Sequence, residues 1–354
     1  CTQRHMILVS TYQKYFKERS IEYDFIYPDK FHVEELSSAN NTYRYEVSNS
    51  NNFLVKAIDY LKFIRYSKKI LLQNCYDLII VWNEATAALF SDFLVKKFKN
   101  KYIVVVLDLF NENDKLKNEK ILTSRLNMAI ECSIFSTVSS PGYIKYLSTK
   151  KEYLFVDNIN NAILPREAVY SVSNKKPIVI LYSGNISYPD LAKKMLLRFK
   201  NDNRFFIKII GSGSEKLIDF VIKNNISNVE IRGKFDSKDT LNILKEGDII
   251  YNVYDNKYHC EQTALSNKLY YAVCLNIPIL VSPKTYMEEV TKELGIGYTI
   301  DFDDKNDICT DLYNWSLKFD QNKTRDKCIS FKNDAFSSHL KLYEKLDEIF
   351  SEMK

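Results

Sequence analysis

Short runs of Val, Ile, Leu and Tyr recur along this chain, separated by amphipathic stretches, and that alternation leaves few folds open. Leu78-Ile79-Ile80-Val81 and Tyr102-Ile103-Val104-Val105-Val106-Leu107 are continuous apolar runs. Runs of this length without polar alternation predict strands buried on both faces, as in a parallel sheet. Between them, Ala85–Phe98 carries apolar residues at helical spacing. Lys96, Lys97 and Lys99 stand at its end, where a helix dipole favours cations. Two more strands are predicted at Ser133–Val138 and Tyr153–Val156, with a helix over Pro141–Leu147 between them. Tyr23–Tyr27 reads as an earlier strand, preceded by a helical stretch from Met6 to Arg19. A helix with no strand before it breaks the alternation, so a first strand and its loop are expected to be missing.

From Asn158 to Pro177 the chain is polar, holds Pro165 and Pro177, and loses its period, which marks a linker. The alternation then restarts. Strands are predicted at Ile178–Tyr182, Phe205–Ile210, Val229–Arg232, Ile249–Val253, Ile279–Val281 and Tyr298–Ile300. Helices fall between them at Asp190–Phe199, Ser214–Lys223, Ser237–Lys245, Asn267–Cys274 and Thr285–Glu293, and an amphipathic helix over Ser337–Met353 closes the chain. The reading is an α/β protein of two doubly wound, Rossmann-like domains facing across a cleft. The first domain is 1–160, the linker 161–177, the second domain 178–330, and the closing helix 331–354.

Length and composition agree with this division. At 354 residues, with 45% hydrophobic and 27% charged, the chain can fill two ordinary cores. Fifty Lys and Arg against 45 Asp and Glu give a net charge of only +5, which argues against a nucleic-acid binder. A small polyanionic ligand, a membrane surface, or no charged partner at all fits such a mild excess. Seven cysteines without paired spacing argue against a disulfide framework and for a reducing, cytoplasmic setting. No run approaches the ~18–20 apolar residues that span a bilayer. The start, Cys1-Thr2-Gln3-Arg4-His5, has neither the shape of a signal peptide nor an initiator Met.

Only eight glycines occur, so each one in a loop carries information. Ser183-Gly184-Asn185 follows the first strand of the second domain. A glycine there lets a phosphate approach backbone amides, although a tight β–α turn would explain it as well. Gly211-Ser212-Gly213 ends the next strand, with Ser214 able to cap a helix. This is not a G-x-G-x-x-G fingerprint, which disfavours a nicotinamide cofactor. Ser266-Asn267-Lys268 opens a later helix. A lysine at the positive end of a helix dipole is unfavourable unless an anion sits there; an exposed lysine on a frayed turn is the plainer alternative. All three loops are expected on one carboxyl sheet edge, where open α/β sheets bind ligands.

As an ordered set, these segments make residues 178–300 resemble the donor-binding half of family 4 glycosyltransferases with the GT-B fold, the type that builds bacterial capsule, exopolysaccharide or lipopolysaccharide. The likeness rests on Tyr182-Ser183-Gly184-Asn185-Ile186, Ile209-Ile210-Gly211-Ser212-Gly213, Val229-Glu230-Ile231-Arg232-Gly233, Gly247-Asp248-Ile249, and Ser266-Asn267-Lys268-Leu269-Tyr270 with Ile277-Pro278-Ile279. In the first half, Leu107-Asp108-Leu109-Phe110-Asn111-Glu112 and Val138-Ser139-Ser140-Pro141-Gly142 match more loosely, and Arg4-His5 echoes the start of the family's first helix. Tyr271 and Thr263 replace two glutamates of the family pattern, Glu261 lies close by, and Leu107 stands where a histidine is common.

The resemblance implies transfer of a sugar from a nucleotide diphosphate-sugar, a co-substrate rather than a cofactor, to a saccharide or lipid-linked acceptor. No metal is expected to be needed. Donor contacts would come from Gly184, Asn185, Gly211, Ser212, Gly213, Glu261, Ser266, Asn267, Lys268 and Tyr271. Lys268 would meet the charge developing on the leaving diphosphate, with Lys193 or Lys194 as weaker candidates. For a catalytic base the sequence offers Asp108 and Glu112, with Glu84 nearby, each of which could instead be a helix cap or a surface charge. A retaining outcome is favoured by the resemblance alone. The basic, aromatic helix Lys56–Leu72 could rest on anionic lipid as a peripheral contact, or simply pack on the core with a solvated lysine face. Two other readings stay open: a glycosyltransferase-like binding subunit without catalysis, and a sugar-nucleotide epimerase, for which four histidines are few.

Overall fold

The computed structural model describes residues 7–30, 32, 38–50, 52–110, 119–159 and 177–353. Glu112, Arg4, His5 and linker residues 161–176 therefore lie outside the described residues. The first domain is built on a four-stranded parallel sheet of β3 (Ile79–Trp82), β4 (Tyr102–Val106), β5 (Ser136–Val138) and β6 (Tyr153–Phe155), in that order. All five residues of β4 are shut off from solvent. Their side chains alternate between two cores: Tyr102, Val104 and Val106 face α3 (Glu84–Phe98) and α4 (Glu119–Glu131), while Ile103 and Val105 face α1 (Ile7–Glu18). A separate parallel pair, β1 (Asp24–Asp29) and β2 (Asn41–Glu46), lies before α2 (Phe53–Gln73).

The second domain has six parallel strands: β7 (Ile178–Ser183), β8 (Phe205–Ile210), β9 (Val229–Arg232), β10 (Ile249–Asn252), β11 (Ile279–Val281) and β12 (Gly297–Thr299). Their spatial order is β12-β11-β10-β7-β8-β9. The chain winds outward from β7 to β9, then returns to β10 beside β7 and winds the other way. That reversal opens a crevice at the carboxyl ends of β7 and β10. α5 (Pro189–Arg198) and α11 (Ile308–Lys318) cover one face, and α7 (Thr240–Leu244), α9 (Asn267–Leu275) and α10 (Tyr286–Leu294) the other.

Every predicted strand is present to within a few residues. Other elements differ. The helices expected over 141–147, 214–223 and 237–245 are wholly or partly 3-10 turns, because glycine, proline and aspartate at their starts favour tight local bonding. β2, α4, α8 (His259–Thr263) and α11 went unforeseen, their sequences being polar or short. The closing helix starts well before Ser337: α12 runs Gln321–Glu352, 32 residues, about 48 Å at 1.5 Å per residue. Cys328 belongs to the core of the second domain, whereas Leu342, Leu346 and Ile349 belong to that of the first. Polar bonds hold the crossing. Tyr270 Oη donates to Asp157 Oδ1 at 2.6 Å, the Asp157 amide donates to Ser338 Oγ at 3.0 Å, and His339 Nε2 meets the Asp157 carbonyl at 2.8 Å.

Candidate active site

Adjacent strands bring the two glycine turns together. β7 and β8 pair in register, Ser183 opposite Ile210, so Gly184 and Gly211 leave the sheet side by side. The Gly184 amide donates to the Ile210 carbonyl at 2.9 Å and the Ile186 amide to the Ser212 carbonyl at 3.0 Å. Gly211 has φ +149°, and a side chain there would strike the Gly184 carbonyl, its Cβ only 1.7 Å from the oxygen. Gly184 is the complement: φ is +101° and nothing lies within 4 Å of where a Cβ would be, leaving open space above the sheet edge. Asn185 and Ser212 are exposed on this rim, with Asn185 Nδ2 donating to Ser187 Oγ at 3.0 Å. Gly213, at φ +89°, leads into the turn that starts at Ser214.

Lys268 arrives from the other side. Ser266 caps α9, its Oγ accepting from the Lys268 amide at 3.2 Å, and Asn267 is the first helical residue. The α9 core residues Leu269 and Ala272 pack with Leu181 on one face of the sheet, whereas Tyr182 lies on the opposite face. The Lys268 ammonium reaches over the carboxyl edge to within 5.7 Å of the Tyr182 ring centroid. Protein surrounds it, and that desolvation lowers its pKa to about 8. Among the described residues no carboxylate lies within salt-bridge distance of it. Lys193 and Lys194 differ, being paired with Asp190 at 3.1 Å and Asp303 at 2.5 Å. Tyr271, one turn past Lys268, rests half-buried on the apolar clusters beside Phe331.

Carboxylates collect on the facing wall. Asp108 follows β4 and accepts from the Leu109 amide at 2.8 Å and, at 3.4 Å, from Tyr143 Oη. Water reaches this carboxylate, and its bonded neighbours, Leu109 and Tyr143, are of the first domain. Desolvation, reinforced by the charges of Glu84 and Glu261, raises its pKa to about 7. Glu84 opens α3 in the first domain; Glu261 is a buried residue of α8 in the second. Glu261 accepts from Tyr188 Oη at 3.4 Å, which links it to the loop after Gly184. The domains touch close by: Ser140 Oγ donates to the Thr263 carbonyl at 2.5 Å, and the Tyr146 and His259 rings stack 4.1 Å apart. Sequence reasoning passed over Tyr143, Tyr188 and His259. A tyrosine directly before a proline-led helix, as in Tyr188-Pro189, was the available signal for one of them.

Gly184, Gly211, Ser212, Gly213, Ser266, Asn267 and Lys268 thus share one rim, with Asp108 and Glu261 on the walls of the interdomain cleft. Tyr271 takes its place in packing. Among the described residues no group of three or more His, Cys, Asp or Glu side chains could hold a metal ion.

No protein-family model and no curated protein matches the sequence. Solved structures do. Sucrose-phosphate synthase from Thermosynechococcus elongatus aligns with TM-score 0.68 at 11% identity, over 98% of this chain and 93% of that one. The apo form of the lipopolysaccharide outer core galactosyltransferase WaaB aligns with TM-score 0.61 at 14% identity, over 97% and 96%. Anabaena HepE in complex with UDP-glucose gives 0.56 at 10% identity, over 88% and 86%. At such identities the likeness concerns architecture: the chain has the GT-B fold of two Rossmann-like domains.

Proposed function

We propose that this protein is a glycosyltransferase that moves a sugar from a nucleotide diphosphate-sugar to a saccharide or lipid-linked acceptor. One observation carries the reading: a desolvated lysine with no carboxylate partner among the described residues meets two glycine turns at the point where the strand order reverses. The open space at Gly184 lets a diphosphate approach the amides of both turns, and Lys268 supplies the positive charge that its departure requires. Holding that ammonium ready in a crowded site avoids reorganising solvent as charge develops. Asp108, its pKa raised to about 7 on the opposite wall, can in its ionised form take a proton from an acceptor hydroxyl. Glu261, buried on the donor side and accepting from Tyr188 Oη and Cys260 Sγ, is our candidate for bonding donor hydroxyls. We further propose that no metal is needed and that the product belongs to a bacterial surface polysaccharide, a reading supported by neighbours titled as lipopolysaccharide enzymes.

Thermal-shift titration with UDP, GDP, CMP and dTDP tests the donor half. At least one nucleoside diphosphate should stabilise the protein, and Lys268→Ala should weaken that affinity more than roughly tenfold, about 1.4 kcal/mol. Unchanged affinity would remove Lys268 from the site. Binding without sugar transfer or donor hydrolysis would point to a binding subunit in place of an enzyme.

A further inference from the structure

We propose that α2 docks onto an anionic lipid bilayer, through a surface separate from the cleft. A helix packed on a domain ordinarily turns a single apolar stripe inward; α2 has two. Phe63, Ile70 and Leu71 are buried, with the Phe63 ring 6.1 Å from that of Tyr45. The second stripe faces water: Leu54 is 67% exposed, Ile58 51%, Leu61 57% and Leu72 59%. At 3.6 residues per turn these four and Arg65 fall within about 60° of one another, and Phe63 lies about 180° from Leu54.

Charge selects the occupant. Lys62, Arg65 and Lys69 are exposed on or beside the stripe. Across the whole helix Lys56, Lys62, Arg65, Lys68 and Lys69 stand against the single carboxylate of Asp59, which is turned to the Ser48 amide at 2.9 Å. Among the described residues Lys56, Arg65 and Lys69 have no salt-bridge partner. A second copy of this helix would set like charges against each other, whereas anionic headgroups would neutralise them while the apolar side chains enter the acyl boundary. None of this depends on the transferase reading.

Cosedimentation with vesicles of phosphatidylcholine alone, and of phosphatidylcholine mixed with phosphatidylglycerol, provides the test. The full chain should pellet with the mixed vesicles, remain in solution with neutral ones, and be released by salt. Ile58→Glu with Leu61→Glu should lower the partition coefficient at least about tenfold, and Arg65→Glu with Lys69→Glu should lower it comparably. Every substituted position is exposed, and an unchanged thermal transition confirms folding. Binding to mixed vesicles that ignores both double variants would overturn the proposal. So would binding to neither vesicle, or a dimer in size-exclusion chromatography that Ile58→Glu with Leu61→Glu dissociates. Nucleoside diphosphate binding reports on the cleft separately.

Discussion

At the scale of single residues, position relative to the domain boundary matters more than residue type. Asp108 follows β4 in the first domain yet feels the charges of Glu84 and, from the second domain, Glu261, and desolvation with those charges raises its pKa to about 7. Turnover should therefore climb with pH along a limb centred near 7. Glu84→Gln removes a neighbouring negative charge and should move that limb to lower pH; a limb that stays in place would disconnect Asp108 from the chemistry. Stability follows with the opposite sign. A raised carboxyl pKa contributes stability below the unfolded value of about 4 that is lost as pH rises through 7. Asp108→Asn should accordingly raise Tm more at pH above 7 than in acid. Lys268 titrates the other way, so diphosphate affinity should fall as pH passes about 8. The glycines separate sterics from function. Gly211→Ala forces a Cβ into the Gly184 carbonyl and should cost about 3 kcal/mol in urea unfolding. Gly184→Ala meets nothing, should cost only about 1 kcal/mol of backbone strain, and should still weaken diphosphate binding by filling the space above the rim. Equal losses of stability in the two variants would contradict this geometry.

At the scale of elements, α9 carries Lys268 at one end and a bond to the other domain two residues later. Tyr270→Phe keeps the ring and deletes the hydroxyl that Asp157 accepts. Asp157 is buried, and desolvation already raises its pKa. Losing a hydrogen bond to a buried carboxylate should cost about 1.5–3 kcal/mol in denaturant unfolding. A loss below about 0.5 kcal/mol would mean that water substitutes for the hydroxyl. The strands of both sheets were legible in the sequence because burial on both faces demands unbroken apolar runs. α12 was legible only in its second half. Over Gln321–Lys332 its buried positions are sparse, since that part touches the second domain along a narrow line through Thr324 and Cys328. A faint stripe of that kind leaves little trace in hydrophobic periodicity.

At the scale of the whole molecule, α12 belongs to both cores, and its damage should be felt unequally. Leu346 is fully buried against α1 and the first sheet. Leu346→Ala should destabilise by about 2–5 kcal/mol. The two tryptophans report on different domains, Trp82 in β3 and Trp315 in α11. In backgrounds where either is replaced by Phe, the variant should shift the Trp82 transition more than the Trp315 transition. Equal shifts would show that the domains unfold as one unit.

Taken alone, the sequence determined the class of fold and one wall of the candidate site. Apolar runs and glycine turns are local necessities: a doubly buried strand cannot be polar, and a backbone at positive φ against a neighbouring carbonyl cannot carry a side chain. The tertiary structure alone decided that no carboxylate among the described residues pairs with Lys268 while Lys193 and Lys194 have theirs, and that the charge of Glu261, remote in sequence, acts on Asp108. Electrostatic environment is a sum over neighbours brought together by folding, and no spacing along the chain encodes it.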